Sequence, residues 1–378
     1  MEWHWFAIVA LIAILGTALF TPLSIKLAWK IDAIDYPDGR RVNTKPIPRL
    51  GGVAVFAGLV LSLGFVVVLN LIWPDILHIR SINTDINYLG VGLAITVIFA
   101  IGFLDDVLQI KPYIKFLGHI VAASIACASG VLFSHFLNPF GPGVIDIGIM
   151  AYPVTVFYLV AFANIINLID GLDGLAAGIV AICAAALLVL SFSRGYVDAT
   201  IVGLAVVGVC AGFLVYNFYP ARVFLGDSGS LVLGFCLGLV SLFGVVRTTA
   251  LISLLIPVVI AGIPVIDTFT SIVRRIRLKQ PIYRADKAHV HHRFISLGFS
   301  QRTTVLIIYG ISIVLSVLAI LIVQDTSPLR FVYVGALVVI VTLFIWRLGL
   351  LSSVLTHHYE RRQTPKRKKE ELREKKEE

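Results

Sequence analysis

Long apolar stretches separated by short polar segments run through the whole chain. A hydrocarbon layer about 30 Å thick needs about 20 apolar residues in a helix to cross it. About eleven windows meet that length: 5–28, 50–73, 87–104, 113–134, 151–169, 175–193, 199–217, 229–246, 250–272, 303–323 and 329–350. The pattern predicts an all-α integral membrane protein of about eleven transmembrane helices. One membrane domain covers 1–350, and 351–378 is a charged cytoplasmic tail without apolar periodicity. Between the fourth and fifth windows, Asn138-Pro139 and Gly141-Pro142-Gly143 precede apolar Val144, Ile145, Ile147 and Ile149. Such turn residues beside an apolar run predict a small extracytoplasmic hairpin near 137–150.

Charge placement orients these spans. No basic residue precedes the first window, which is too long for a signal-peptide core and is followed by Lys26 and Lys30. It reads as a retained helix with its N-terminus outside, and an odd number of spans puts the C-terminus in the cytoplasm. Of the 31 lysines and arginines, only Arg80, Arg194, Arg247 and Arg330 fall in loops assigned outside. The rest lie at cytoplasmic ends, in cytoplasmic loops or in the tail, as the positive-inside rule requires. A composition 58% hydrophobic and only 14% charged excludes an ordinary soluble domain. Cys127, Cys183, Cys210 and Cys236 sit inside predicted spans without paired spacing and read as small packing residues.

The informative polar residues fall in five cytoplasmic segments: 29–52, 105–115, 164–174, 217–230 and 273–302. Asp105 and Asp106 end the third window, and Lys111 and Lys115 follow closely. Carboxylates at a membrane edge are costly unless paired, so they point either to function or to a helix-end ion-pair cluster. Adjacent helical residues project about 100° apart, so the two aspartates need not share a role. Asn164, Asn167, Asp170 and Asp173 recur every third residue, and Gly171 and Gly174 predict that the helix breaks among them. In Asn217-Phe218-Tyr219-Pro220-Ala221-Arg222-Val223-Phe224-Leu225-Gly226-Asp227-Ser228, Asp227 opens the next helix. A carboxylate there can hold a cation while backbone amides face phosphate. Phe224 suits either base stacking or packing.

Two segments are basic. Lys45-Pro46-Ile47-Pro48-Arg49-Leu50-Gly51-Gly52 offers cations and a flexible glycine pair, and 274–302 sets arginines and lysines around His289-Val290-His291-His292-Arg293. Three histidines without cysteine or a fourth ligand argue against zinc and for hydrogen bonding to phosphate or sugar. Carboxylates for a divalent ion, cations for phosphate and polar groups for a base make up the parts of phosphoryl transfer. Enclosure in a membrane makes one reactant a lipid. The residues alone therefore point to a metal-dependent phosphotransferase with a nucleotide donor and a lipid acceptor.

Pro-Arg-Leu-Gly-Gly at 48–52, Asp105-Asp106, Asn164 to Gly174, Asn217 to Ser230 and His289 to Arg293 together resemble the polyprenyl-phosphate N-acetylhexosamine-1-phosphate transferases, the MraY/WecA/TagO family. The resemblance runs from about residue 35 to 302. It implies Mg²⁺, with Mn²⁺ as an alternative, held by Asp227 and Asn167. It implies catalytic roles for Asp105, Asp106 and Lys115 around the diphosphate and the attacking lipid phosphate, with Lys111 as the alternative lysine and Lys45 and Arg49 as further cations. It assigns Asp170, Asp173, Asn217 and Phe224 to the nucleotide, and His289, His291, His292 and Arg293 to the sugar. The interrupted histidine run resembles the WecA/TagO branch. Its implied reaction moves N-acetylglucosamine 1-phosphate from UDP-N-acetylglucosamine to undecaprenyl phosphate, releasing UMP, at the start of an envelope glycan such as teichoic acid. The expected location is the bacterial plasma membrane with the site facing the cytoplasm. A homodimer is left open, and no nucleic-acid partner is expected.

Other readings fit less well. The muramoyl-pentapeptide branch typically has an unbroken histidine run. Asp170-Gly171-Leu172-Asp173-Gly174 is also similar to CDP-alcohol phosphotransferases, but the arginine and later aspartates of that motif are missing, and Ala176, Ala177 and Gly178 follow instead. A transporter would place its polar residues near mid-membrane between inverted repeats; here they gather at one edge.

Overall fold

The computed structural model describes residues 3–37, 45–73, 86–137, 143–244, 251–277, 290–325 and 327–347. Its helices are α1 (Trp3–Lys30), α2 (Gly51–Ile72), α3 (Tyr88–Leu108), α4 (Pro112–Ala128), α5 (Ala151–Ile169), α6 (Leu175–Ser193) and α7 (Val197–Asn217). They continue as α8 (Gly226–Phe243), α9 (Leu251–Ile260), α10 (Gly262–Arg277), α11 (Val290–Ser296), α12 (Gln301–Gln324) and α13 (Leu329–Arg347). The protein is an all-α, multi-pass membrane protein. Among the described residues, nine helices are long and apolar enough to cross a membrane.

The remaining two of the eleven windows take other forms. The fourth is α4, whose 17 residues span about 25 Å at 1.5 Å per residue, short of a full hydrocarbon layer. The ninth is divided into α9 and α10. Pro264 lies in the first turn of α10 and has no N–H to give the carbonyl four residues back. Helical bonding is kept on either side, from Ala261 N to Pro257 O at 2.9 Å and from Val265 N to Ala261 O at 3.0 Å.

Only two small sheets interrupt the helices among the described residues. β1 (Ile34–Asp35) pairs antiparallel with β2 (Ile47–Pro48), and β3 (His135–Leu137) pairs antiparallel with β4 (Val144–Asp146). The second pair is the hairpin expected near 137–150, begun two residues earlier. The charged tail lies outside the described residues.

Helix α8 is the centre of the bundle. Every residue from Ser228 to Phe243 is buried, and α2, α3, α5, α6 and α7 all pack on it. Outward positions carry Leu11, Leu19, Leu71, Leu89, Phe157 and Val215, all exposed, and α13 buries none of its residues. Apolar exposure on this scale needs lipid as its solvent. All four cysteines are buried and unpaired, as packing residues are. The ends of α1, α3, α5 and α7 meet the starts of α2, α4, α6 and α8 at one end of the bundle.

Candidate functional site

The first turn of α8 organises that end. Its N–H groups have no partner within the helix, and Leu225 before it supplies no side-chain cap. Asp106 of α3 supplies the cap from across the bundle. Its Oδ1 accepts from Asp227 N at 2.8 Å, and its Oδ2 accepts from Ser228 N at 2.9 Å and Ser228 Oγ at 2.6 Å. Such closeness requires small residues at the seam. A Cβ on Gly102, one turn before Asp106, would sit 2.6 Å from Ser228 Cα, and Gly226 adopts φ +70°.

The glycine pair at 51–52 belongs to the same seam. Phe224 N donates to Pro48 O at 2.8 Å, Gly51 N to Phe224 O at 2.9 Å and Gly52 N to Leu225 O at 2.8 Å. Both glycines are buried in the first turn of α2, and a Cβ on Gly52 would run into Gly229 N and Ser228 Oγ. The expectation of a flexible pair is therefore corrected: close backbone approach, not mobility, requires glycine here.

Asp227 projects from this turn into a small polar cluster. Lys115 Nζ contacts Asp227 Oδ2 and lies 3.0 Å from Asp105 Oδ2. Asn167 Nδ2 donates to Asp227 Oδ1 at 2.6 Å and to Ser230 Oγ at 2.9 Å. Thus Asp105, Lys115, Asn167 and Asp227 meet, drawn from α3, α4, α5 and α8. Pro112 at the start of α4 leaves Lys111 exposed at the N-cap and puts Lys115 one turn inside, where it reaches the cluster.

The row Asn164–Asp173 divides as its glycines suggested. Asn164 and Asn167 stay on α5, Asp170 follows its last turn, and Gly174 takes φ +76° before α6. Asp173 Oδ2 accepts from Ala221 N at 2.9 Å. Asn217 is buried; its Oδ1 accepts from Gly174 N at 3.0 Å and its Nδ2 donates to Val223 O at 2.8 Å. Both residues thereby pin the 218–225 loop, and each end of the Asn217 amide bonds to backbone. Asp170 receives no hydrogen bond among the described residues. Burial, then the nearby Asp227, Asp106 and Asp173 carboxylates, push its carboxyl up to about 8.

The basic segments are placed in part. Lys45 is exposed, and Arg49 and Phe224 are half-buried. His289 lies outside the described residues, and α11 begins at Val290. Val290 N donates to Asp267 Oδ1 of α10 at 2.8 Å. His291 is buried, and its ring packs so closely on Gly171 that a Cβ there would lie 2.6 Å from Cε1. The histidine segment is thus docked on the Asp170–Asp173 turn. His292 and half-buried Arg293 follow in α11.

Sequence reasoning missed three residues here. His119 lies one turn after Lys115, 1% exposed, with Nδ1 at 3.1 Å from Asn164 Nδ2. Asp267 anchors α11 and is also buried. Ser230 accepts from Asn167. An ionisable residue inside an apolar span was the available signal for the first two.

Among the described residues, no group of three or more His, Cys, Asp or Glu side chains is arranged as a metal cage. Asp227 and the amide oxygen of Asn167 are hard oxygen donors, and Lys115 meets the demand of Asp227 for a positive partner. This donor set fits an ion such as Mg²⁺, which keeps several waters and takes few protein ligands.

Comparison with known proteins bears on what this end of the bundle serves. The model of glycosyl transferase family 4 matches residues 88–245, which hold all four residues of the cluster. A probable undecaprenyl-phosphate N-acetylglucosaminyl 1-phosphate transferase of Bacillus subtilis (strain 168) is 36% identical over 342 residues, covering 90% of this chain and 92% of that protein. A decaprenyl-phosphate N-acetylglucosaminephosphotransferase of Mycobacterium leprae (strain TN) is 33% identical over 327 residues, 80% of each chain. A phospho-N-acetylmuramoyl-pentapeptide-transferase of Desulforamulus reducens is 33% identical over 293 residues, 74% of this chain and 82% of that protein.

Proposed function

This chain belongs to the polyprenyl-phosphate N-acetylhexosamine-1-phosphate transferases, and on that premise we propose that it transfers N-acetylglucosamine 1-phosphate from UDP-N-acetylglucosamine to undecaprenyl phosphate. UMP is the second product, and the lipid-linked sugar starts an envelope glycan. The observation that carries this reading is Lys115 held between Asp105 and Asp227 at the opening of α8. One cation among converging carboxylates suits a site that receives a phosphate-bearing ligand together with a divalent ion.

A phosphate oxygen of the lipid attacks the β-phosphorus of the donor, and the bond from that phosphorus to the UMP oxygen breaks. The nucleophile is already an anion, so no covalent enzyme intermediate is needed. Lys115 offsets charge growing on the leaving UMP. Asp105 orients Lys115 and takes any residual proton of the acceptor phosphate. Asp227 and Asn167 would hold Mg²⁺, or Mn²⁺ in its place, which when bound would neutralise the diphosphate. The turn at Asp170–Asp173, bonded through Asp173 to the loop that carries Phe224, receives the nucleotide, and the His291–Arg293 segment receives the sugar. The distribution of lysine and arginine supports a cytoplasmic site in a bacterial plasma membrane.

The choice of N-acetylglucosamine is supported by the longer match to the Bacillus subtilis relative and by the interrupted histidine run. Purified protein in detergent, given Mg²⁺, undecaprenyl phosphate and separate UDP-sugars, tests it. UDP-N-acetylglucosamine is expected to release UMP and yield lipid-linked sugar, and UDP-MurNAc-pentapeptide to yield neither. Efficient use of the pentapeptide donor would move the chain to the muramoyl branch. Absence of turnover without a sealed membrane would favour a transporter.

A further inference from the structure

Asp105 and Asp106 are adjacent, yet they face different partners. Asp105 is part-exposed and bonded to Lys115. Asp106 is 4% exposed, and its two oxygens accept three hydrogen bonds from the first turn of α8. One of those donors is the backbone N–H of Asp227 itself. The two oxygens of Asp106 thus fix the segment from which the Asp227 side chain leaves toward Asn167 and Lys115. We propose that Asp106 is a positioning residue: it holds the opening turn of α8 so that Asp227 faces the site, and it takes no proton from either substrate.

Three features of the packing carry this. The donors are backbone and hydroxyl groups of α8 rather than groups that a ligand displaces. The seam is closed by Gly102 on the α3 side and by Gly226 on the α8 side, where a Cβ would lie 2.7 Å from Asp106 Oδ2. A helix N-terminus also favours a negative charge, so the carboxylate is the suitable cap at this point. A small shift of α8 would move Asp227 relative to Lys115 and Asn167, and misplacement of about 1 Å at a reacting centre can cost about 100-fold in rate. Strong loss of activity on altering Asp106 is thus expected without any chemical role for it. This inference rests on the proposed transferase reaction for its rate readout, while its structural readout is independent of that reaction.

The test compares Asp106→Asn, Asp105→Asn and the milder Ser228→Ala in detergent. Two measurements are made: hydrogen exchange of the backbone amides at 226–231, and the pH–rate profile with UDP-N-acetylglucosamine and undecaprenyl phosphate. Asp106→Asn is expected to speed exchange at Asp227 and Ser228 about tenfold or more, and to lower the rate by about 100-fold while leaving the shape of the pH profile unchanged. Ser228→Ala should do the same more weakly, and it serves where Asp106→Asn does not fold. Asp105→Asn should leave exchange at α8 unchanged. Unchanged exchange in both Asp106→Asn and Ser228→Ala, or loss of the acidic limb of the profile in Asp106→Asn alone, would overturn the proposal. If the wild type fails to turn over these substrates, the proposed reaction falls, and exchange alone then decides the role of Asp106.

Discussion

At the seam between α3 and α8 the Asp106 carboxylate receives three hydrogen bonds, whereas at the turn between α5 and α6 the Asp170 carboxyl receives none among the described residues. Both lie at the same end of the same bundle. In the first region polar groups satisfy the backbone and lock helices together. In the second a shielded carboxyl is left beside three other carboxylates, an arrangement that is costly by itself and relieved by a cation or a donor from a ligand. Polar residues near a site therefore sort by what already satisfies them. Asn217, Asp173 and Asp106 bond to backbone and hold shape; Asp105, Lys115 and Asp227 bond to side chains of the cluster, and with Asp170 they are the groups proposed for chemistry.

The largest effect that sharpens this contrast should come from Lys115→Met, which removes the cation between Asp105 and Asp227. Turnover is expected to fall about 100- to 1000-fold, the scale of losing one positioned electrostatic group. Steady-state rates at saturating substrates would check it, and a fall below threefold would place Lys115 outside the chemistry. On the shape side, Gly52→Ala should destabilise the fold by about 1–3 kcal/mol, since its methyl meets backbone at Gly229. Gly64→Ala is the control, because nothing lies within 4 Å of its added Cβ. Equal melting temperatures for the two variants would show that the seam is looser than described.

A smaller, pH-dependent effect belongs to Asp170. Its carboxyl is raised from 3.8 to about 8, so the folded chain holds that proton more tightly than the unfolded chain does. The resulting stabilisation is full below about pH 4, is lost progressively as pH rises toward about 8, and is absent above it. Asp170→Asn should therefore match wild type at low pH and exceed it in melting temperature near pH 8 in chelator, by about 2 °C or more. Added Mg²⁺ should narrow the gap. Parallel melting curves across this range would mean that Asp170 is already satisfied. The smallest expected signal is no signal. Labelled UMP should not enter UDP-N-acetylglucosamine when no lipid acceptor is present, because direct attack leaves no enzyme-bound sugar phosphate. Robust exchange in protein shown to be free of polyprenyl phosphate would instead require a covalent step.

Much of this was legible before any coordinates. Apolar length fixes where helices cross, and the break at Gly171–Gly174 and the hairpin near Val144 followed from turn chemistry. The family resemblance grouped Asp105, Lys115, Asn167 and Asp227 around one diphosphate and its ion, and the structure brings the four together. What was hidden depends on direction rather than position. Helical geometry says that Asp105 and Asp106 diverge, but not which one meets α8. The glycines at 51–52 read as a flexible pair until the backbone they pack on is seen, and nothing in the sequence says that Asn217 bonds Gly174 and Val223. His119 and Asp267 were overlooked because each lies within an apolar window that otherwise reads as lipid-facing. The division of the ninth window needed Pro264 to be weighed above hydropathy.

The most direct test of the site at the opening of α8 is Asp227→Asn, which removes the charge and keeps the shape. UMP release and lipid-linked sugar would be measured by mass spectrometry on protein whose melting temperature is also recorded. Activity lower by at least about 100-fold, with melting within a few degrees of wild type, is the predicted result. Near-normal turnover at ordinary Mg²⁺ would make Asp227 a structural residue and contradict the account.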